Sequence, residues 1–228
     1  MAAVPTLIRV KIGLANSRFS PSHLSKMTLL ANHPDVAYIR ERLQKNIVLR
    51  RLDKDAFEEL STSLAIVDFR KGDVLLSQGA HEMEQYFVIE GVLKRVVASP
   101  EGKEMILRFA KEDDMDTSYA AWKLRTPAPY SIRAVTRARV AKLALPLWGE
   151  FLDIHPDIKE DFEYEVMFLM SEVMAHTITL HLLDAPGRVH RFERKHPELS
   201  ERVPKKELAS YLNLSAETLS RLKHSGKI

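Results

Sequence analysis

Two rhythms of apolar residues divide this chain. Between residues 65 and 145 the apolar positions come in short β-prone runs, "AIVDF", "VLLSQ", "YFVIE", "VLKRVVA", "MILRFA", "SIRAV" and "RVAKLAL". They are broken by "RKGD", "GAHEME", "EG", "SPEGK" and a polar-to-proline stretch over residues 112–130. Short runs bounded by such turn formers predict strands, and several in near-regular succession predict a compact antiparallel barrel or roll. Just ahead, "DKDAFEELST" at residues 53–62 has an acidic first turn and helical apolar spacing, which predicts a short helix.

The second rhythm begins at Pro156 and runs without Pro or Gly to Pro186, which predicts one long helix. Along it Phe162, Val166, Leu169, Val173, His176, Leu180 and Leu183 alternate at spacings of 4 and 3, a heptad seam. Met167, Met170, Met174, Ile178 and Leu182 form a second stripe beside it. One stripe can pack on the barrel while the other meets a second copy of the helix; the heptad seam is taken as the dimer interface. His176 within it is expected to set register, a pH-sensitive contact being the alternative.

After the long helix, "ELASYLNLSAETLSRL" places Leu208, Leu212, Leu214, Leu219 and Leu222 where two short helices would pack on each other, with small Ala209 letting their axes approach. Asn213 suits a left-handed turn position, and Ser215 an N-cap of the second helix. This is helix-turn-helix logic. Glu217, Ser220 and Arg221 share the face opposite Leu219 and Leu222. They offer an acceptor for cytosine N4, a hydroxyl, and a guanidinium for guanine O6 and N7. Lys205 and Lys206, opening the first helix, can reach phosphates. Lys205, Lys206, Ser215, Glu217, Ser220 and Arg221 are the candidate DNA-binding set.

Composition narrows the picture. At 228 residues and 45% hydrophobic the chain can bury one or two cores. No apolar run approaches the roughly 18 residues that span a bilayer, and residues 1–30 lack the apolar core of a secretory signal, so a cytoplasmic protein without a membrane partner is expected. The absence of cysteine excludes disulfides, a thiolate nucleophile, an iron–sulfur cluster and Cys-ligated zinc. Residues 185–228 hold ten basic and five acidic side chains, residues 35–184 hold 20 and 26, and residues 1–34 hold four basic and none acidic. A basic end on an acidic body suggests a polyanion partner. Pro5, Pro21 and the missing acids predict a flexible arm over residues 1–30. No His-x-His pair with a following Glu and His marks the strands as a metal-binding catalytic barrel, so no enzyme activity is expected.

"FRKGDVLLSQGAHEMEQYFVIEGVLKRV", "PEGKEMILRF", the long helix ending in "LLDAPGRVHRF" and the terminal helix pair, taken in this order, resemble the CRP/FNR family of bacterial transcription regulators from about residue 46 onward. The resemblance implies an α+β chain. Residues 46–154 would form an antiparallel β-roll (a double-stranded β-helix, cyclic-nucleotide-binding-like) that binds an effector. Residues 155–184 would form a dimerisation helix, and residues 185–228 a winged helix-turn-helix, behind an arm and leading helix at residues 1–45. The wing is expected to be short or missing, because "LSRLKHSGKI" ends soon after the recognition helix. Glu217, Ser220 and Arg221 match the family's FNR-type Glu-x-x-Ser-Arg pattern. The implied partners are double-stranded DNA with palindromic TTGA-like half-sites, a second copy of the chain, and RNA polymerase.

Departures from the family pattern bear on the effector. Where cyclic-nucleotide binders carry Gly-Glu and Arg-Ser pairs, this chain has "DDMDTS" and "PAPYS", with Ser131 alone resembling that equipment. Asp113, Asp114 and Asp116 would repel a phosphate, and Val173 and Met174 stand where relatives contact the base, so cyclic AMP is not expected. A haem is possible but not favoured; His23, His33, His81, His155, His176 and His181 are its candidate ligands. Trp122, Tyr130, Ser131, Val173 and Met174 are the candidate effector pocket. The competing reading is a regulatory or interaction module whose DNA binding is weak and sequence-independent.

Overall fold

The structure, a computed structural model, describes residues 27–226. Nine strands and nine α-helices follow one another among them. β1 (Thr28–Leu29), α1 (Val36–Leu43) and α2 (Lys54–Ser61) precede β2 (Ala65–Phe69), β3 (Val74–Leu76), β4 (Glu84–Glu90), β5 (Leu93–Ala98), β6 (Glu104–Ala110) and β7 (Met115–Thr117). After α3 (Tyr119–Lys123) come β8 (Ser131–Ala134) and β9 (Ala138–Ala144). Helices α4 (Leu145–Ile154), α5 (Pro156–Leu182), α6 (Ala185–Lys195), α7 (Pro197–Arg202), α8 (Lys205–Tyr211) and α9 (Ala216–His224) complete the chain.

The strands form two antiparallel sheets, β1-β2-β9-β4-β7 and β3-β8-β5-β6, so consecutive strands β4 and β5 lie in different sheets. Gly91 makes that crossing possible. Its φ of +91° is left-handed, and a Cβ there would stand 2.3 Å from the Arg137 carbonyl oxygen. This is the expected α+β fold, an antiparallel roll followed by helices. All seven expected strands are present, and Asp53 caps the expected short helix by accepting from the Ala56 N–H at 2.8 Å.

Three expectations change. The polar-to-proline stretch at 112–130 contains β7 and α3, because Met115 and Tyr119 are buried anchors within it. The arm expected over residues 1–30 lies outside the described residues up to 26, but its end is ordered. Thr28 and Leu29 pair with Ile66 and Ala65, and Leu30 is fully buried.

The third change concerns α5, whose heptad seam faces its own chain. Phe162 is fully buried, with ring centroids 4.9 Å from Tyr119 and 5.2 Å from Trp148. Leu169 is buried in the same core, with Val166 packed against it. Val173, His176, Leu180 and Leu183 are half-buried. The second stripe, Met167, Met170, Met174, Ile178 and Leu182, is exposed, joined by Tyr164 and Phe168. The first turns of the seam are therefore covered by this chain's own core, which leaves the second stripe as the more exposed apolar surface.

A second apolar core lies on the outer side of the four-stranded sheet. Val92, Val96, Ile106, Phe109 and Val135 from the roll join Val189, Phe192, Leu199, Val203, Leu208, Ala209, Leu212 and Leu219 from the last four helices.

Candidate nucleic-acid interface

The helix pair α8–α9 forms as its sequence dictates. Leu208, Ala209, Leu212 and Leu219 are buried between the helices and the sheet. Asn213 takes φ +51° at the turn, and the Leu214 N–H closes it on the Ala209 carbonyl at 2.9 Å. The Ser215 hydroxyl accepts from the Thr218 N–H at 3.0 Å, the N-cap expected for α9. On the outer face Glu217 and Arg221 are exposed and Ser220 is half-buried. Neither Glu217 nor Arg221 makes an ion pair among the described residues. Lys205 and Lys206 are exposed at the start of α8. Of the six candidate groups Lys205, Lys206, Ser215, Glu217 and Arg221 are exposed and Ser220 is half-buried, and Ser215 orders the helix that carries Glu217, Ser220 and Arg221.

Several polar contacts hold this unit on the roll. Lys94, nearly buried on β5, donates to Glu207 of α8 at 2.6 Å. Glu112 accepts from both terminal nitrogens of Arg202 at 2.7 and 2.6 Å and from the Gly91 N–H at 2.7 Å. Burial works against the Glu112 charge, but these donors hold its carboxyl below the usual range. His176 on α5 stacks flat on Tyr211, centroids 3.8 Å apart, with Nε2 3.0 Å from the Tyr211 carbonyl oxygen. Since a carbonyl only accepts, Nε2 carries the proton. Burial lowers the imidazole pKa to about 4, so it is neutral near pH 7. His176 thus joins the long helix to α8. The unfolded imidazole, with an ordinary pKa near 6.5, takes up its proton before the folded one. This contact's contribution to stability is complete above that pH and lost as pH falls toward 4.

Sequence reasoning missed the polar centre of the roll. Arg95 (3% exposed) donates through Nε to Asp116 (0% exposed) at 2.6 Å and through a terminal nitrogen to the Thr117 carbonyl at 3.2 Å. The Tyr130 ring lies 4.7 Å from its guanidinium carbon, and Tyr130 donates to the same carbonyl at 2.6 Å. A signal was present: Lys94 and Arg95 interrupt an otherwise apolar strand in "VLKRVVA". The acids expected to repel phosphate are largely compensated. Asp116 pairs with Arg95, Asp113 accepts from Arg42 at 2.7 Å, and Asp114 accepts from the Lys111 N–H at 3.0 Å.

The five residues expected to line an effector pocket do not converge. Tyr130 and Ser131 are buried inside the roll, where Ser131 accepts from the Gln78 N–H at 2.9 Å. Trp122 lies against Gly149 and lines an outer cavity with His81 and Met83. Val173 lines a different cavity, and Met174 is exposed. The described histidines are likewise scattered: His33 accepts from the Asp35 N–H, His155 faces Glu59 at 3.2 Å, and His81 and His181 are exposed. His23 lies outside the described residues. At "DDMDTS" three cations already face the acids of the stretch, Arg42 at Asp113, Arg95 at Asp116 and Arg108 beside Asp114 and Asp116. No described helix is long and apolar enough to cross a membrane.

Residues 66–155 match the model of the cyclic nucleotide-binding domain family. Among curated proteins, the cAMP-activated global transcriptional regulator CRP of Salmonella typhimurium is 21% identical over 158 residues, covering 65% of this chain and 75% of that protein. The nitrogen fixation regulation protein FixK of Bradyrhizobium diazoefficiens is 24% identical over 190 residues, 78% of each. Among solved structures, the c-di-GMP responsive global regulator CLP of Xanthomonas campestris superposes with a TM-score of 0.65 at 16% identity, covering 76% of this chain and 92% of that one. Residues 66–155 thus match the cyclic nucleotide-binding domain, and the similarity to CRP and FixK supports membership of the CRP/FNR family.

Proposed function

We propose that this chain is a homodimeric, sequence-specific DNA-binding transcription regulator. Residues 46–154 form its effector-binding roll, residues 155–184 its dimerisation helix and residues 185–228 its DNA-reading unit. The observation that carries the reading is the face of α9, where Glu217 and Arg221 stand exposed beside Ser220 on a helix capped by Ser215. Two such faces, related by a dimer axis, would read TTGA-like half-sites in successive major grooves about 34 Å apart. Lys205 and Lys206 add phosphate contacts whose contribution falls with salt.

Fluorescence anisotropy with a labelled TTGA-type palindrome and a scrambled duplex, across a salt series, tests this. Discrimination near physiological salt is expected, and Arg221→Ala should remove about 1–3 kcal/mol of it per half-site. Equal, salt-fragile binding to both duplexes would replace the regulator by an interaction module.

Dimerisation is assigned to the exposed stripe of α5. Met167, Met170, Met174, Ile178 and Leu182 form a continuous apolar surface along a 27-residue helix. The double variant Met174→Glu, Ile178→Glu should sediment as a monomer at concentrations where the parent is a dimer. A parent that sediments as a monomer, or a double variant that remains dimeric, would remove this assignment.

A further inference from the structure

A cavity of about 180 Å³ opens where β6, α5 and the C-terminal helices meet. Arg108 reaches it from β6, Phe168 and Val173 from α5, Lys195 from the end of α6, and Tyr211 from α8. It touches the strand, the long helix and the reading unit together.

Arg108 carries the chemistry. Its side chain is 13% exposed, yet it makes one hydrogen bond, to the Met115 carbonyl at 3.1 Å. The Asp114 and Asp116 carboxylates stand 3.6 and 3.5 Å away, beyond the roughly 2.7–2.9 Å of a charge-assisted bond. Asp114 also accepts from the Lys111 N–H and Asp116 Oδ1 from Arg95, while Asp116 Oδ2, buried and without a hydrogen bond of its own, faces the Arg108 guanidinium. A guanidinium has five N–H donors; the rest of these find no hydrogen-bond acceptor among the described residues. Arg108 lies in the cavity wall. Burial pushes the Arg108 pKa down, against the Asp116 and Asp114 carboxylates, which raise it. Glu172, also at the cavity wall, is paired with Lys195. An incoming anion meets a guanidinium with spare donors, with the Asp114 carboxylate also at the wall and apolar surface from Phe168, Val173 and Tyr211 beside it.

We propose that this cavity is an effector site for a small organic monocarboxylate of about benzoate size. Its carboxylate accepts from Arg108, and its apolar body lies between Phe168, Val173 and Tyr211. A cavity of about 150 Å³ holds benzene, so the volume suffices for a ring bearing a carboxylate. A bound acid bridges roll, long helix and reading unit, and so fixes the orientation of α9. That last consequence rests on the regulator reading above; the binding itself does not.

The test is isothermal titration calorimetry of the full chain with sodium benzoate, and with benzamide as its uncharged isostere, at matched ionic strength. Benzoate should bind once per protomer and benzamide at least tenfold more weakly. Arg108→Gln should weaken benzoate at least tenfold. Val173→Phe, which fills the cavity and leaves the guanidinium in place, should do the same, and it keeps the test decisive if Arg108→Gln fails to fold. No heat with benzoate, equal binding of benzamide, or benzoate binding that survives Val173→Phe would overturn the proposal. Anisotropy with the two duplexes, run in parallel, separates the readings. Benzoate binding without duplex discrimination keeps the site and removes the regulator; discrimination without benzoate binding does the reverse.

Discussion

Asp116→Ala should lower the unfolding free energy by about 3–5 kcal/mol, the cost of removing one partner from a buried ion pair. The size follows from what remains. Arg95 would keep its bond to the Thr117 carbonyl and its contact with Tyr130, but neither supplies a negative charge. Arg108 would lose the second of the two carboxylates near it. Burial opposes the charge on Arg95, and the Asp116 carboxylate is what holds its pKa above the ordinary value. The pair is nonetheless a weak source of net stability, because both ions gave up hydration to form it. The double variant Arg95→Met, Asp116→Leu should therefore recover most of the loss. Urea unfolding of the three proteins decides the matter. A loss below about 1 kcal/mol in the single variant, or a double variant less stable than the single one, would mean that the charges are hydrated after all.

Phe162→Ala should cost a similar amount, about 3–5 kcal/mol, as a large ring removed from a packed core. Its ring is edge-on to both Tyr119 and Trp148, and Trp148 in turn stacks on Phe151 at 5.4 Å, so the vacancy would open among rings of α3 and α4 that cannot easily close over it. The same variant separates two roles for this residue. If Phe162 belongs to its own protomer's core, the loss appears in urea unfolding while the sedimentation of the folded protein is unchanged. If it belongs to a seam between copies, dimer dissociation shifts first and the unfolding midpoint becomes more dependent on protein concentration.

What the sequence reveals, and what it withholds, follows from the reach of each signal. The strands were legible because alternation and turn residues are local, and the α8–α9 turn because Asn213 and Ser215 each act within three residues. β7 and α3 were not, since the segment that holds them is short, polar and proline-flanked, and only long-range burial of Met115 and Tyr119 reveals it. Two apolar stripes on α5 were visible as periodicity. Which one turns inward depends on Trp148 and Tyr119, residues far enough away in the chain that no spacing encodes the contact. The scattered pocket candidates failed for the same reason: a pocket is a three-dimensional coincidence. Arg108 illustrates the converse case. In the sequence it is an ordinary strand cation, and only the distances to two engaged carboxylates make it conspicuous.

The apolar core shared by the four-stranded sheet and the last four helices limits how this protein can be cut or recombined. Its members come from both sides of the long helix, Phe109 meeting Phe192 at 6.4 Å and Tyr211 at 5.1 Å between ring centroids. A fragment ending after the long helix would present Val96, Ile106 and Phe109 to water as a bare greasy face, prone to self-association. A hybrid that keeps this roll but borrows its reading head from a relative must also import, or redesign, the aromatic lining that the head rests on. Exchange of heads is thereby a problem of matching surfaces, not of splicing at a linker.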